Sequence, residues 1–262
     1  MFPGYGCVGH DYKQLESYCK RHFIPYDYVP VKRWEWLNIF QHVFTKDYKN
    51  YECTPHQLFD WYLDKASITV QRSLQKNNDN PVILCGHSAG GWLARAVMQN
   101  NTLYGTTNIQ TQDAVSSLIT LGTPHRASQK DATHGCLHYI NKHYPLLENI
   151  QYITIGSSAK KIELRHCHTL KDQMVLNSYQ TVLESSRQTV IYGDGIVPTQ
   201  VSHLDGAQTI DFNDVYHFKK YGKKWYFDDN VMDSWFPYLE ETVSEYYINE
   251  FDYRQRGSSQ IK

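Results

Sequence analysis

The chain has 262 residues, of which 41% are hydrophobic, and its 26 basic and 27 acidic side chains leave a net charge near −1. This length is sufficient for one α/β domain with a substantial core. The balanced charge gives no support for a nucleic-acid-binding protein, and no apolar run in the sequence reaches the roughly 18 to 20 residues of a membrane span.

The first residues are unusual for an α/β domain. Met1 and Phe2 lead directly into the turn Pro3-Gly4-Tyr5-Gly6, a kind of turn that ordinarily follows a core strand. We therefore expect a truncated N-terminal strand, with the native chain either extending upstream or shortened at this point.

Apolar runs and helical periodicities alternate along the rest of the chain. Strands are predicted over residues 26–31, 82–85, 115–121, 152–155 and 207–212. Helices are predicted over residues 11–22, from N-cap Thr54 and Pro55 to the break at 77–80, around Trp92 to Val97, and over 137–144, 174–183 and 231–247. This alternation predicts an α/β fold, with a mostly parallel central sheet and helices on both faces. We predict a single domain over 1–262, in which 126–188 includes cap-like insertions.

A short apolar run ending at Cys85 leads into Gly86-His87-Ser88-Ala89-Gly90, which fits the pattern G-x-S-x-G. At a strand-to-helix junction this pattern forms a sharp, strained turn that exposes the serine hydroxyl. Small flanking residues avoid collisions with the neighbouring strand and helix. We therefore predict that Ser88 is a nucleophile.

A serine nucleophile requires a base and an acid that orients the base, in the chain order serine, acid, histidine for this kind of turn. Asp194 lies between Gly193 and Gly195 in a loop after the predicted strand 152–155 and is the preferred acid. The alternatives are Asp172 and Asp205. His217 follows the last predicted strand and is the preferred base over His203.

The tetrahedral intermediate requires two backbone N–H donors. Ala89, directly after the nucleophile, should supply one, and Tyr5, with a glycine on each side, should supply the other. His87 lies inside the motif, and we expect its side chain to point away from the nucleophile. We consider His87 and His125 as candidate pocket residues.

Six cysteines are present without a CxxC pair or a preceding signal peptide. We predict reduced structural thiols rather than disulfides. Cys167 lies between two histidines but lacks a second ligand pair, so no metal site is predicted. These features favour a soluble intracellular protein, in the cytoplasm or a plastid, over a secreted one.

The segments FPGYG, CGHSAGGWLAR, TLGTPH, YGDGIVPTQVSHLDGA and DVYH occur in this order over nearly the whole chain. In this set the chain resembles α/β-hydrolase-fold lipases and esterases, in particular the lipase-like hydrolases of plants and algae that are related to GPI inositol-deacylase-like proteins. The resemblance implies a Ser88–His217–Asp194 triad with oxyanion donors near Tyr5 and Ala89. It implies no cofactor and no metal.

The expected reaction is hydrolysis of a small-molecule or lipid ester through an acyl-enzyme. A thioesterase or an acyltransferase would use the same triad, and a catalytically silent hydrolase fold that binds a ligand is the alternative from a different class. GPI deacylation is a narrower alternative, but that activity belongs to membrane-embedded proteins, and no membrane span is found in the sequence. We expect no nucleic-acid partner and no transmembrane segment, and at most a transient contact with a lipid interface.

Overall fold

A parallel four-stranded sheet forms the centre of the protein. The computed structural model describes residues 1–129, 131–167, 169–183 and 189–239. Within these residues the strands are β1 (Val82–His87), β2 (Val115–Leu121), β3 (Gln151–Ser157), β4 (Lys160–Glu163), β5 (Val190–Gly193), β6 (Gln208–Phe212), β7 (Val215–Tyr216) and β8 (Lys224–Trp225). The α-helices are α1 (Lys13–Arg21), α2 (Lys46–Lys49), α3 (Pro55–Lys76), α4 (Ala89–Val97), α5 (Thr111–Ala114), α6 (His134–His143), α7 (Leu170–Val182) and α8 (Asp229–Trp235). Short 3₁₀ helices cover Gly9–Tyr12, Arg33–His42, Gln99–Asn101, Leu164–His166, Thr199–Val201 and Lys219–Tyr221.

The strands β1, β2, β3 and β6 pair in this order, and every pair is parallel. Successive side chains of these strands point to opposite faces. On one face Leu84 and Leu118 pack in a cluster with α3, α4 and α6. On the other face Ile119 and Ile153 pack in a cluster with α1 and α8. The prediction of a mostly parallel sheet with helices on both faces is confirmed. One shared sheet supports a single domain over 1–262, and that boundary stays a prediction.

The segment 26–31, which the sequence pattern predicts as a strand, has no strand ladder in the structure. It lies beside the first residue, where the Val29 N–H donates to Met1 O at 3.0 Å. Pro25 and Pro30 have no N–H group, so the segment cannot supply a continuous ladder. The strand prediction was wrong for this reason.

Among the described residues, Phe2 occupies the position expected for the N-terminal strand. It forms a single parallel bridge with Gly86 on the free side of β1. Its N–H donates to Cys85 O at 2.8 Å, and its carbonyl accepts from the His87 N–H at 3.2 Å. This bridge fixes the following turn against the end of β1.

Helix α3 begins as the sequence predicts. The Thr54 hydroxyl accepts from the Gln57 N–H at 3.3 Å, and the Gln57 side chain accepts from the Thr54 N–H at 2.8 Å. With Pro55 as the first helical residue, this capping box satisfies two backbone donors at the helix start.

Three later helices differ from their predicted limits. Helices α6 and α7 each begin a few residues earlier than predicted. The predicted helix 231–247 corresponds to α8 over Asp229–Trp235, and residues 240–247 lie outside the described part of the chain.

Strands β4 and β5 form an antiparallel pair outside the main sheet. Together with α7 they enclose a third apolar cluster, which includes Ile162, Tyr179 and Ile191. This unit follows β3 in the chain and leads directly to Asp194. Its role as a cap-like insertion stays a prediction.

Candidate active site

Ser88 occupies a strained turn between β1 and α4. β1 ends at His87, α4 begins at Ala89, and Ser88 between them has φ 54° and ψ −131°. A non-glycine residue in such a conformation costs about 1–3 kcal/mol, and it persists only where the surroundings enforce it. The predicted strand–turn–helix context of Ser88 is therefore present.

Close contacts between neighbouring backbone segments explain why glycines surround this turn. A Cβ atom at Gly86 would lie 2.4 Å from the Cα of Gly91 in the first turn of α4. A Cβ atom at Gly90 would lie 2.1 Å from the carbonyl oxygen of Phe2. Both distances are too short for any side chain, so the turn and the N-terminal residues can pack together only with glycine at these positions.

Asp194 and His217 form a buried pair. Nδ1 of His217 lies 2.7 Å from Oδ2 of Asp194, and both side chains are 1% exposed. Oδ1 of Asp194 accepts from the backbone N–H groups of Ile196 at 3.0 Å and Val197 at 2.8 Å. These two bonds fix the carboxylate, so its other oxygen is directed at the imidazole ring.

The chain positions this pair through two loops. Asp194 follows β5, His217 follows β7, and the His217 N–H donates to Asp194 O at 3.0 Å. Nε2 of His217 is buried and has no hydrogen-bond partner among the described residues. The bond from Ser88 to this nitrogen, which the predicted triad requires, is therefore not formed in the structure.

Tyr226 is a further partner of the carboxylate. Its hydroxyl donates to Oδ2 of Asp194 at 3.0 Å. Burial, and after it the charge of Asp194, raises the pKa of Tyr226 well above its usual value. The hydroxyl therefore keeps its proton and remains a donor to the same oxygen that faces His217.

We expect Tyr226→Phe to lower kcat for ester hydrolysis by about tenfold, equivalent to about 1.4 kcal/mol of transition-state stabilisation. The reason is that Oδ2 of Asp194 would retain His217 as its single side-chain partner while staying buried. Loss of a hydrogen bond to a charged group should also lower the free energy of unfolding by about 1.5–3 kcal/mol. Steady-state kinetics and urea unfolding measure both effects. Tyr192→Phe, at a half-exposed site, is the control, and equal values for the two variants would contradict the role of Tyr226.

The turn Pro3–Gly6 lies directly on the serine. A Cβ atom at Gly4 would lie 2.7 Å from the Cβ of Ser88. The Gly4 N–H donates to the Tyr12 hydroxyl at 3.0 Å, and the Tyr62 hydroxyl donates to Pro3 O at 3.0 Å. Two buried tyrosines therefore hold the turn in place.

His87 links this turn to the loop of His217. Its Nε2 lies 3.2 Å from the His217 carbonyl oxygen, which can only accept, and its Nδ1 lies 3.0 Å from the Tyr12 hydroxyl. Burial, and after it the proximity of His217, holds the pKa of His87 well below its usual value. The ring is therefore neutral, with its proton on Nε2, and Tyr12 donates to Nδ1. His87 lies behind the serine turn, as a connection between the two loops.

The two backbone amides that the sequence predicts as oxyanion donors are those of Ala89 and Tyr5. The N–H of Ala89 is at the first position of α4, where no intrahelical acceptor exists. The Tyr5 N–H lies in the turn that contacts Ser88, and the Tyr5 ring is 50% exposed and packs edge-on against Trp36. The two amides thus come from the two segments that meet at the serine.

The comparisons with known proteins agree with this architecture. A family model described as the PGAP1-like alpha/beta domain matches residues 44–194, which is more than half of the chain. The chain belongs to this family. It is a GPI inositol-deacylase family with the α/β-hydrolase fold, so the family resemblance seen in the sequence is confirmed. No curated protein matches the chain. The matched region includes Ser88 and ends at Asp194, whereas Tyr5 and His217 lie outside it.

The alternative acids and the alternative base have other partners in the structure. Asp172 pairs with Lys160 at 2.7 Å, and the largely exposed Asp205 pairs with Arg126 at 2.6 Å. His203 has both ring nitrogens engaged. The ion pairs and hydrogen bonds of these three side chains therefore connect them to partners other than the serine turn.

His125 is buried in the PGAP1-like domain. Its Nε2 lies 3.1 Å from the Thr120 hydroxyl, and its carbonyl accepts from Asn141 at 2.9 Å. Burial, and after it the charge of Arg95, holds the pKa of His125 well below its usual value. A neutral, buried histidine fits a role in packing the loop after β2, and a pocket-lining role stays a prediction.

The six cysteines of the chain are all free thiols in the structure. Among the described residues no group of three or more histidine, cysteine, aspartate or glutamate side chains is arranged to hold a metal ion. His168, beside Cys167, lies outside the described residues. Within the same residues, none of the helices combines the length and the apolar character needed to cross a bilayer.

Sequence reasoning missed the tyrosines of the candidate site. The chain has 21 tyrosines, and their scatter favours packing or surface roles. The structure instead uses the hydroxyls of Tyr12, Tyr62 and Tyr226 inside the site. The available signal was that Tyr226 lies in the apolar run Trp225-Tyr226-Phe227, where a buried hydroxyl needs a partner.

Proposed function

We propose that the chain is a serine hydrolase that cleaves carboxylic esters of acyl or lipid substrates. The observation that carries this proposal is the buried Asp194–His217 pair, whose Nε2 has no partner among the described residues. Ser88 occupies the adjacent strained turn, where the ring centre of the preceding residue, His87, lies 4.6 Å from that of His217. Membership of a hydrolase family supports the same reaction class.

In the proposed mechanism His217 is the base. Its Nε2 accepts the hydroxyl proton of Ser88 while Oγ forms a bond to the ester carbonyl carbon. Asp194 holds the ring in the tautomer with the proton on Nδ1 and stabilises the imidazolium that results. The bonds from Ile196, Val197 and Tyr226 to the carboxylate keep this partner in place during the step.

In the later steps of the cycle, His217 alternately donates and accepts a proton. The tetrahedral intermediate expels the alcohol, which leaves with the proton from Nε2, and an acyl ester of Ser88 remains. Water then gives a proton to Nε2 and attacks the acyl carbon, and the carboxylic acid leaves as Oγ takes the proton back. No cofactor takes part in these steps.

The negative charge on the carbonyl oxygen requires donors that are already oriented. We assign this role to the N–H groups of Ala89 and Tyr5. The start of α4 adds the positive end of a helix dipole at the same point. The hydrogen bonds of Tyr12 and Tyr62 to the Pro3–Gly6 turn support the assignment of Tyr5, because they limit the movement of this turn away from Ser88.

The family match favours one more specific substrate. GPI inositol deacylases hydrolyse an acyl ester on an inositol hydroxyl, which is the same bond cleavage as in a simple acyl ester. The acyl ester of a GPI inositol is therefore a second candidate substrate, carried by the match over residues 44–194.

Hydrolysis of soluble acyl esters of graded chain length tests the proposed reaction. We expect the wild-type protein to hydrolyse them and Ser88→Ala to show only background turnover. Matched thioesters and an inositol acyl ester in the same assay distinguish the substrate classes by their kcat/KM values. Equal ester turnover by wild type and Ser88→Ala would overturn the proposal.

A further inference from the structure

The 3₁₀ helix Arg33–His42 has one buried and one exposed apolar face. A 3₁₀ helix repeats every three residues, so side chains three positions apart lie in one row. Trp36 and Ile39 form the buried row. The opposite row, Trp34, Leu37 and Phe40, is 61%, 58% and 55% exposed, and Phe44 just beyond the helix is 86% exposed. We call these four exposed side chains the aromatic patch.

Positive charge surrounds the aromatic patch. Exposed Lys32 precedes it, with its ammonium group 6.0 Å from the centre of the Trp34 ring, and exposed Lys46 and Lys49 follow it in α2. Residues 32–49 contain four cationic and two anionic side chains. Glu35 is paired with Lys65 and Arg33 with Asp11, which leaves Lys32, Lys46 and Lys49 against the single acid Asp47. The surface around the patch therefore complements a negatively charged partner.

The helix that carries the aromatic patch is attached to the turn at Ser88. Nε1 of Trp36 donates to Cys7 O at 3.0 Å, and Nη1 of Arg33 donates to Gly6 O at 2.7 Å. The Tyr5 ring packs against Trp36 with 5.3 Å between ring centres. A surface that binds the patch would therefore lie beside the turn that contacts Ser88.

We propose that the aromatic patch docks the protein on a lipid bilayer that contains anionic lipids. Trp34, Leu37, Phe40 and Phe44 enter the interface between headgroups and acyl chains, and the flanking lysines contact lipid phosphates. Tryptophan and phenylalanine suit this boundary, and stable docking of a peripheral protein needs both apolar burial and positive charge. The inference rests on the proposed function, because docking there brings Ser88 to ester bonds at the membrane surface.

Vesicle sedimentation in a Ser88→Ala background tests docking without any turnover. The vesicles contain phosphatidylcholine alone or an equimolar mixture with phosphatidylserine. We expect the parent protein to sediment with the mixed vesicles, and the combined change Trp34→Ser, Leu37→Ser and Phe40→Ser to weaken binding by more than about tenfold. The change Lys32→Gln, Lys46→Gln and Lys49→Gln should reduce binding to the mixed vesicles and its sensitivity to salt.

The matched control is Phe23→Ser with Ile68→Ser, which removes two other exposed apolar side chains and should bind like the parent. Turnover of a soluble ester by each variant with Ser88 restored shows that the fold and the hydrolase reaction are intact. The docking would be overturned if the parent protein stayed in the supernatant or if the patch variants bound like the parent. It would also be overturned if the parent were a dimer in solution and the patch changes converted it to a monomer. If the parent protein with Ser88 restored does not hydrolyse the soluble ester while the Ser88→Ala protein still binds the vesicles, the proposed function is overturned instead.

Discussion

Asp194→Asn is expected to lower kcat for ester hydrolysis by about 10⁴-fold, the size of effect seen when the acid of such a triad becomes an amide. Ile196 and Val197 fix Oδ1 through their N–H groups, so the amide nitrogen would take the Oδ2 position facing Nδ1 of His217. Two donors would then meet, and the ring would change to the tautomer that cannot accept the serine proton. Steady-state kinetics on a soluble ester measures the loss.

Asp172→Asn and Asp205→Asn are the matched controls for the acid. Both side chains pair with cations elsewhere, Asp172 with Lys160 and Asp205 with Arg126. We expect both variants to keep near wild-type turnover. An active Asp194→Asn variant together with an inactive variant at either of the other positions would show that the acid is wrongly assigned.

His217→Ala is expected to cause a larger loss, about 10⁶-fold in kcat, because the proton of Ser88 then has no acceptor. The buried Nε2 of His217 has no other partner among the described residues, so the ring has no evident structural bond to lose on that side. Turnover of the same ester at saturating substrate concentration measures kcat directly.

His203→Ala tests the alternative base under the same conditions. Its Nδ1 lies 3.0 Å from the Thr154 hydroxyl, and its Nε2 lies 2.9 Å from Oδ1 of Asp211. This variant should lose some stability and retain its kcat. A large loss of kcat at His203 with activity retained at His217 would exchange the two roles.

The elements that depend on local pattern could be predicted from the sequence. The strand 115–121 matches β2 over the same residues, and Thr54 caps α3 as predicted. The strained turn at Ser88 follows from G-x-S-x-G at a strand-to-helix junction, because the close approaches at Gly86 and Gly90 exclude any side chain. Each of these features is encoded within a few neighbouring residues.

Features that depend on distant partners could not be predicted in this way. The segment 26–31 has the composition of a strand, but its neighbour in the structure is Met1. Pro30 within the segment and Pro25 before it interrupt the possible ladder. The pairing of β4 with β5 outside the main sheet has no local pattern that distinguishes it from a further parallel strand.

The hydroxyl partners of the candidate site are equally distant in sequence. Tyr12 reaches His87 across 75 positions, and Tyr226 reaches Asp194 across 32. A single sequence does not state which buried tyrosine meets which polar atom. It does indicate that a buried hydroxyl needs a partner, and that requirement leads to these residues once the fold is known.

Labelling with a fluorophosphonate probe tests most directly the central claim that Ser88 is an activated nucleophile. The probe forms a covalent phosphonyl ester with a serine whose proton can be removed, and the leaving group departs from phosphorus. We expect wild-type protein to be labelled, with the probe mapped to the peptide that contains Ser88, and Ser88→Ala to remain unlabelled. Absence of label on the folded wild type, or equal labelling of Ser88→Ala, would contradict the account.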